Sequence, residues 1–177
     1  ILDYEQSETN NWNPTKVESN EDLNALLAQK LQVNNCIEIQ GPPGTGKTYR
    51  MAALSAELLR QGKSVLVTAL TNQALIELVK KKDLKDFLDA HKITKTSLTV
   101  DESKELPKLQ PNPKNLCNVA PGYLSLATFY LSSAWAKDAI EIPFDYVIMD
   151  EASQALYPMI AASMKLGRKI IWIGDQN

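Results

Sequence analysis

The strongest chemical signal in the sequence is a phosphate-binding loop. Residues 41–48 read GPPGTGKT and fit the pattern G-x-x-x-x-G-K-[ST]. Its glycines let backbone N–H groups surround phosphate oxygens, Lys47 reaches the β- and γ-phosphates, and the Thr48 hydroxyl binds Mg²⁺. A glycine-rich turn with a chance lysine is the alternative, and the flanking strand and helix patterns argue against it. The predicted nucleotide-binding residues are Gly41, Pro42, Pro43, Gly44, Thr45, Gly46, Lys47 and Thr48.

A pair of carboxylates supplies the second half of the predicted site. Asp150 and Glu151 follow the apolar run 147–149. Beside a phosphate-binding loop, such an aspartate holds Mg²⁺, usually through water, and the glutamate polarises the attacking water as a general base. Asp175 follows another apolar run, and we add it to the nucleotide-binding set because ligands bind at the carboxyl ends of strands in open α/β folds. The predicted catalytic residues are therefore Lys47, Asp150 and Glu151.

The elements that position these residues alternate between strand and helix patterns. Apolar runs predict strands at 36–40, 64–69, 144–149 and 169–173, and a strand or strand-turn at 125–131. Helical patterns cover 21–31, 47–60, 71–82, 84–91 and 153–166, with Gly167 as the expected C-cap of the last helix. Alternation of this kind predicts an α/β fold in which helices cover both faces of a parallel sheet.

The predicted domain organisation is simple. Residues 1–20 are polar and form an extended lead-in, and residues 21–177 form one α/β domain. The stretch 92–122 holds four prolines and many polar residues, so we expect an irregular insertion there. Because the sequence begins with Ile1, we expect it to be an excised fragment.

Composition and charge exclude some classes of protein. The chain has 177 residues and a net charge of −2, which gives no strong electrostatic footprint for nucleic acid. Its two cysteines, Cys36 and Cys117, lie far apart, and Cys36 falls in a predicted core strand, so neither a disulfide framework nor a metal site is indicated. A reducing, cytoplasmic compartment fits this usage. No apolar run approaches membrane-spanning length, and no signal peptide is recognisable.

Four segments together resemble superfamily 1 helicases, in particular the 5′→3′ branch that includes the nonsense-mediated-decay helicase. Residues 41–48, 150–154 (DEASQ) and 174–176 are similar to motifs I, II and III, and residues 66–75 are similar to motif Ia. The resemblance implies a P-loop NTPase with a RecA-like fold, and specifically the first of two RecA-like domains. It also implies ATP and Mg²⁺ as cofactors. The implied partners are single-stranded nucleic acid, DNA or RNA, and the second RecA-like domain, with no membrane involved.

The resemblance also implies contacts to the strand. Thr68, Thr71 and Asn72 would face single-stranded nucleic acid, and Gln154 would couple the nucleotide site to the strand. Two of these residues have structural alternatives: Thr71 is a good helix N-cap, and Gln154 fits a solvent-facing position on the first turn of a helix. For Thr128, near a candidate motif Ic, a buried strand position is the preferred interpretation.

The sequence departs from the family pattern in two places. The upstream position at which the family carries an adenine-reading glutamine falls near Asn24. The motif III glutamine, three residues after the aspartate, would lie beyond Asn177. We therefore expect this fragment to bind nucleotide weakly and neither to hydrolyse ATP well nor to unwind.

Several other features have preferred structural interpretations. The lysines 80–82 are expected to form a solvated helix face, with a phosphate contact beside motif Ia as the alternative. Phe129, Tyr130 and Trp135 are expected in the core, with base stacking as the alternative. Two other functions remain open at this point: a protein-remodelling ATPase of the AAA+ type, and a nucleotide-sensing module.

Overall fold

The computed structural model describes residues 23–41, 44, 46–112, 119–151 and 155–175. The helices in this part of the chain are α1 Leu23–Val33, α2 Lys47–Arg60, α3 Asn72–Val79, α4 Lys85–Asp89, α5 Val100–Glu105, α6 Phe129–Asp138 and α7 Tyr157–Met164. A 3₁₀ turn at Lys82–Leu84 precedes α4. The strands are β1 Cys36–Gly41, β2 Val65–Ala69, β3 Ile93–Lys95, β4 Gln110–Pro111, β5 Leu124–Thr128, β6 Phe144–Asp150 and β7 Gly167–Asp175.

The described strands form one parallel sheet. Their order is β1-β7-β6-β2-β5-β3-β4, and each neighbouring pair is parallel. All the strands therefore end at one edge of the sheet, here called the carboxyl edge. The predicted α/β fold with a helix-covered parallel sheet is confirmed.

Two separate apolar clusters cover the faces of this sheet. On one face, here called the α2 face, α1, α2 and α3 pack over residues that include Val67, Ile148 and Ile171. On the other, here called the α6 face, α6 and α7 pack over residues that include Leu66, Val147 and Met149. Successive residues of a strand point to opposite faces, so neighbouring positions of β2 and β6 alternate between the two clusters. No described helix is long and apolar enough to cross a membrane.

The prediction of an irregular stretch at 92–122 is wrong for much of its length. This stretch contains β3, α5 and β4, and it extends the sheet beyond β5. The Lys95 side chain, 2% exposed, donates hydrogen bonds to the Ser97 carbonyl and to Glu102. Burial acts to raise the pKa of Glu102, but hydrogen bonds from Thr99 and Lys95 outweigh it and hold the pKa below its usual value. Pro111 is itself a residue of β4, so proline does not prevent a short strand here.

Other boundaries differ from the prediction for tertiary reasons. The strand expected over 125–131 ends at Thr128, and residues 129–131 begin α6. Cys36, expected in a core strand, is exposed because it lies on the opposite face of β1 from Ile37 and Ile39, which pack against the core. The helix expected over 153–166 is described from Tyr157 to Met164.

Gly167 is the first residue of β7, so the prediction that it is a helix C-cap is wrong. Gly167 pairs in register with Phe144 of β6, and a Cβ built on Gly167 would lie 2.6 Å from Val147 Cγ2 and 3.0 Å from the Val147 backbone nitrogen. A side chain therefore has no room where β7 enters the sheet against β6. Close approach of neighbouring strands requires glycine at this position.

We expect Gly167→Ala to lower the free energy of unfolding by about 1 to 3 kcal/mol, because the added methyl group forces β6 and β7 apart. Gly174→Ala is a matched control on the same strand, since the nearest atom to its added Cβ is 3.7 Å away on Trp172. Urea denaturation of the two variants checks the prediction. Equal stabilities would show that the contact with Val147 relaxes at no cost.

Candidate nucleotide site

The phosphate-binding loop connects the end of β1 to the start of α2. Within it, Gly44 has φ 80° and Gly46 has φ 76°, a left-handed conformation that residues with a Cβ adopt at a cost. Nothing lies within 4 Å of a Cβ built on either residue, so the backbone conformation rather than lack of space requires glycine. Pro42, Pro43 and Thr45 lie outside the described residues.

The N-terminus of α2 is open to an anion. Gly46 is its N-cap and contributes no side-chain cap. In any α-helix the amide groups of the first turn are not used by the helix's own i→i−4 hydrogen bonds. They also carry the positive end of the helix dipole. An uncapped helix N-terminus behind left-handed glycines is the arrangement that binds phosphate.

Lys47 lies partly buried beside this helix start. Its ammonium donates a hydrogen bond to the Gly41 carbonyl at 3.0 Å, so the side chain reaches from α2 back to the end of β1. Lys47 and Gly41 therefore hold the two ends of the loop together.

Asp150 is the last residue of β6 and is 7% exposed. It pairs in register with Ile173 of β7, and both Ile173 and Ile148 belong to the core on the α2 face. Because side chains alternate along a strand, the Asp150 carboxylate lies on the same face as Ile148. The sheet therefore places Asp150 on the side that carries α2 and Thr48.

Glu151 is exposed and directly follows Asp150 at the carboxyl edge. Its φ of 50° is left-handed, which is uncommon for a residue with a side chain. Strain of this kind concentrates at functional sites, where the surrounding structure maintains it. The observation is consistent with the predicted role of Glu151 as a base.

Replacing Glu151 tests this strain directly. We expect Glu151→Gly to be more stable than Glu151→Ala by about 1 kcal/mol, because alanine retains the left-handed penalty and glycine does not. Ala161→Gly, at an exposed position inside α7, is a control for which we expect the opposite sign. Thermal unfolding of the variants measures both effects. If Glu151→Gly is the less stable member of its pair, the left-handed conformation is not strained.

The residues present fit a nucleotide with Mg²⁺. Mg²⁺ keeps several waters and needs one or two protein oxygen ligands together with phosphate oxygens. Thr48 and Asp150 carry oxygens of this kind, and the sheet places both residues on the α2 face. The described residues contain no cluster of three or more His, Cys, Asp or Glu side chains that could hold a metal ion.

The remaining predicted nucleotide-site residue lies beside this group. Asp175 is the last residue of β7 and pairs in register with Gly41 of β1. The ends of β1, β7 and β6, which carry Gly41, Asp175 and Asp150, are therefore consecutive along the carboxyl edge. The sheet brings together three segments that are far apart in the sequence.

The residues predicted to contact single-stranded nucleic acid have different outcomes. Thr68 has no exposed surface, and its hydroxyl lies 3.2 Å from Ser132 Oγ of α6, so the prediction that its side chain faces nucleic acid is wrong. The reason is that Thr68 points to the α6 face, beneath that helix. Thr71 is the N-cap of α3 and accepts from the Ala74 amide at 3.2 Å, which confirms its structural alternative.

Asn72 is exposed as the first residue of α3, and its contact with a strand stays a prediction. Gln154 lies outside the described residues.

The sequence analysis does not single out Ser132 of α6 and Ser163 of α7, whose side chains contact each other. The sequence gives only a weak signal for this pair, namely a serine on the apolar side of each helix.

Several secondary expectations also have an outcome. Lys80 pairs with Glu77 and Glu105, which agrees with a solvated face. Phe129 and Trp135 are buried as expected. Tyr130, expected in the core, is 70% exposed because it lies on the outer side of the first turn of α6.

Comparison with known proteins identifies similar sequences. A family model described as an AAA domain matches residues 20–177. The chain is 28% identical over 154 residues to the DNA replication ATP-dependent helicase/nuclease DNA2 of Saccharomyces cerevisiae, a match that covers 77% of this chain and 9% of that protein. It is 31% identical over 147 residues to the human protein of the same description, covering 78% of this chain and 14% of that protein. The putative helicase mov-10-B.1 of Danio rerio is 27% identical over 137 residues, covering 70% of this chain and 14% of that protein.

Solved structures share the fold. The UvsW helicase of bacteriophage T4 superposes with a TM-score of 0.54 at 15% identity, over 79% of this chain and 46% of that chain. The Type ISP restriction-modification enzyme LlaGI, solved with a DNA substrate mimic, gives a TM-score of 0.51 at 18% identity, over 85% of this chain and 16% of that chain. The sequence matches agree with the helicase resemblance, while the structural matches bear on the fold alone.

Proposed function

The chain belongs to the AAA domain family, and from that premise we propose that it is the ATP-binding motor domain of a helicase or translocase that moves on single-stranded nucleic acid. Its relatives in yeast, human and zebrafish are described as helicases. The chain spans only 9% to 14% of the length of these relatives, so the activity of the whole protein is part of the proposal.

One observation carries the proposal: the sheet gathers the phosphate-binding loop and the buried Asp150 at one edge and on one face. When bound, Mg²⁺-ATP would supply a γ-phosphoryl group open to attack by water. Lys47 would bind the phosphates, and Thr48 and Asp150 would hold the metal. Glu151 accepts the proton of the attacking water as a general base.

The proposed contacts to single-stranded nucleic acid lie at the neighbouring part of the carboxyl edge. The strand order continues from β6 to β2 and then to β5. Thr71 and Asn72 follow β2, so they lie one strand away from Asp150 and Glu151. A hydroxyl and an amide exposed at a helix start are donors suited to a phosphate backbone. We keep Thr71, Asn72 and Gln154 as proposed contacts and leave out Thr68.

The decisive experiment measures ATP hydrolysis by the intact protein that carries this sequence, with increasing single-stranded DNA or RNA. We expect one or both polymers to raise the rate, and the more effective polymer identifies the substrate. Asn72→Ala should raise the strand concentration needed for half-maximal stimulation without changing the rate in the absence of strand. A rate indifferent to both polymers would favour a protein-remodelling ATPase and overturn the proposal.

A further inference from the structure

Three buried hydroxyl groups form a cluster beneath α6 and α7. Thr68 of β2, Ser132 of α6 and Ser163 of α7 each have a relative exposure of 0%. Ser132 Oγ lies 3.2 Å from Thr68 Oγ1 and 2.6 Å from Ser163 Oγ. It also lies 3.1 Å from the Phe129 carbonyl oxygen. Ser132 is therefore the centre of the cluster and connects one strand with two helices.

The number of protons determines how this cluster is bonded. The Phe129 carbonyl can only accept, so Ser132 donates its single proton there and accepts from both Thr68 and Ser163. In this arrangement all four oxygens take part in a hydrogen bond. A buried hydroxyl without a partner is costly, so neither β2 nor α7 can move away from Ser132 freely.

The residues that pair with Thr68 show where the hydroxyl cluster lies in the sheet. Thr68 pairs in register with Met149 on one side and Ala127 on the other, and both belong to the apolar core on the α6 face. Met149 directly precedes Asp150, and Ala127 directly precedes Thr128 at the end of β5. The cluster therefore lies just beneath the carboxyl edge, under the ends of β6, β2 and β5.

The same three elements lead to both proposed binding regions. Helix α7 follows Asp150 and Glu151 along the chain, and its Ser163 reaches Ser132. Strand β2 carries Thr68 and leads directly to Thr71 and Asn72. Close-packed interiors transmit displacement, and hydrogen bonds between rigid elements keep those elements in register.

We propose that Ser132 is a positioning residue that couples the nucleotide site to the proposed nucleic-acid contacts after β2, Thr71 and Asn72. This inference rests on the proposed function. A displacement of α7 that accompanies a change at Glu151 reaches Thr68 through Ser132 Oγ, and from there the start of α3. Coupling of this kind is measured as the ratio of the affinities for single-stranded nucleic acid with and without ATP. The bound nucleic acid changes the affinity for ATP by the same factor.

The test measures that ratio in the intact protein that carries this sequence. The dissociation constant of a fluorescent single-stranded oligonucleotide is measured with and without a Mg²⁺-bound, non-hydrolysable ATP analogue. For a parent ratio in the usual range of about 5 to 150, we expect Ser132→Ala to bring the ratio to within about twofold of one. Basal ATP hydrolysis should stay within about twofold of the parent, because the hydrogen bonds given above for Ser132 join it to Thr68, Phe129 and Ser163, which lie outside the proposed nucleotide-binding set.

Two further variants distinguish coupling from stability. Thr68→Val removes another hydroxyl of the cluster at nearly constant volume, and should lower the ratio in the same way. Combined with Ser132→Ala it should add nothing, because both remove one connected set of bonds. Ser55→Ala is the control: Ser55 is equally buried, but its hydroxyl donates to the Met51 carbonyl of its own helix at 2.8 Å. We expect it to leave the ratio unchanged.

Each result decides the matter. A parent-like ratio in Ser132→Ala overturns the proposal, as does a loss of stability and basal hydrolysis with the ratio preserved. If Ser132→Ala does not fold, Thr68→Val gives the same decision. If the parent responds to neither DNA nor RNA, the proposed function fails and this inference fails with it, whereas the preceding results leave the proposed function intact.

Discussion

Replacing Lys47 by alanine should lower ATP hydrolysis by the intact protein by about 100-fold or more, because a positive charge aimed at developing negative charge is typically worth that much. Lys47 lies partly buried at the loop, and its ammonium bonds the Gly41 carbonyl at 3.0 Å. Because Lys47 is only partly buried, we expect the variant to fold. Steady-state hydrolysis at saturating ATP measures the effect.

Two comparisons show whether the loss is specific to this position. Lys104→Ala removes an exposed lysine on α5 and should leave the rate unchanged. Lys47→Arg keeps the charge, but the wider guanidinium replaces a compact ammonium in a tight loop, and we expect it to be impaired as well. A Lys47→Ala variant that keeps a tenth of the parent rate would contradict the assignment of the loop to catalysis.

Replacing Glu151 by glutamine should separate ATP binding from ATP hydrolysis. The amide cannot accept a proton from water, so we expect hydrolysis to fall by about 100-fold to 10,000-fold. The phosphate-binding loop and Asp150 are untouched, and removing the negative charge beside the phosphates does not weaken binding. The bound ATP should therefore persist, which a filter-binding assay with labelled ATP and single-turnover kinetics would detect.

The control for this variant is Glu141→Gln, which makes the same change at an exposed position in the connection between α6 and β6. We expect no effect on either binding or turnover. Turnover that is unaffected in Glu151→Gln would remove Glu151 from the mechanism and favour a nucleotide-sensing module. A parallel loss of binding and turnover would assign Glu151 to positioning of the nucleotide.

The fold class was predictable because its signals are local. Apolar runs separated by helical patterns require a parallel sheet with helices on its faces, whatever the strand order. The two strands within 92–122 were missed because β3 and β4 are short and polar. Such strands form because a neighbouring strand, here β5 for β3, already presents its hydrogen-bonding edge.

The candidate site likewise has one part that the sequence predicts and another part that it does not. The chemistry of residues 41–48 is contained in one short segment, so their spacing alone predicts a phosphate site. The face of the sheet that receives the Asp150 carboxylate depends on register with β7, which no local pattern specifies. The left-handed conformation of Glu151 likewise emerges only with the backbone in place.

The sequence by itself determined that this protein has a phosphate-binding loop, a pair of acidic residues after a strand and an α/β architecture. Residue types and short spacings encode those features. The tertiary structure alone decided that Thr68 is buried against Ser132, that Gly167 faces Val147 and that Cys36 is exposed. These outcomes depend on which elements become neighbours across the sheet, because partners distant in sequence set the environment of each side chain.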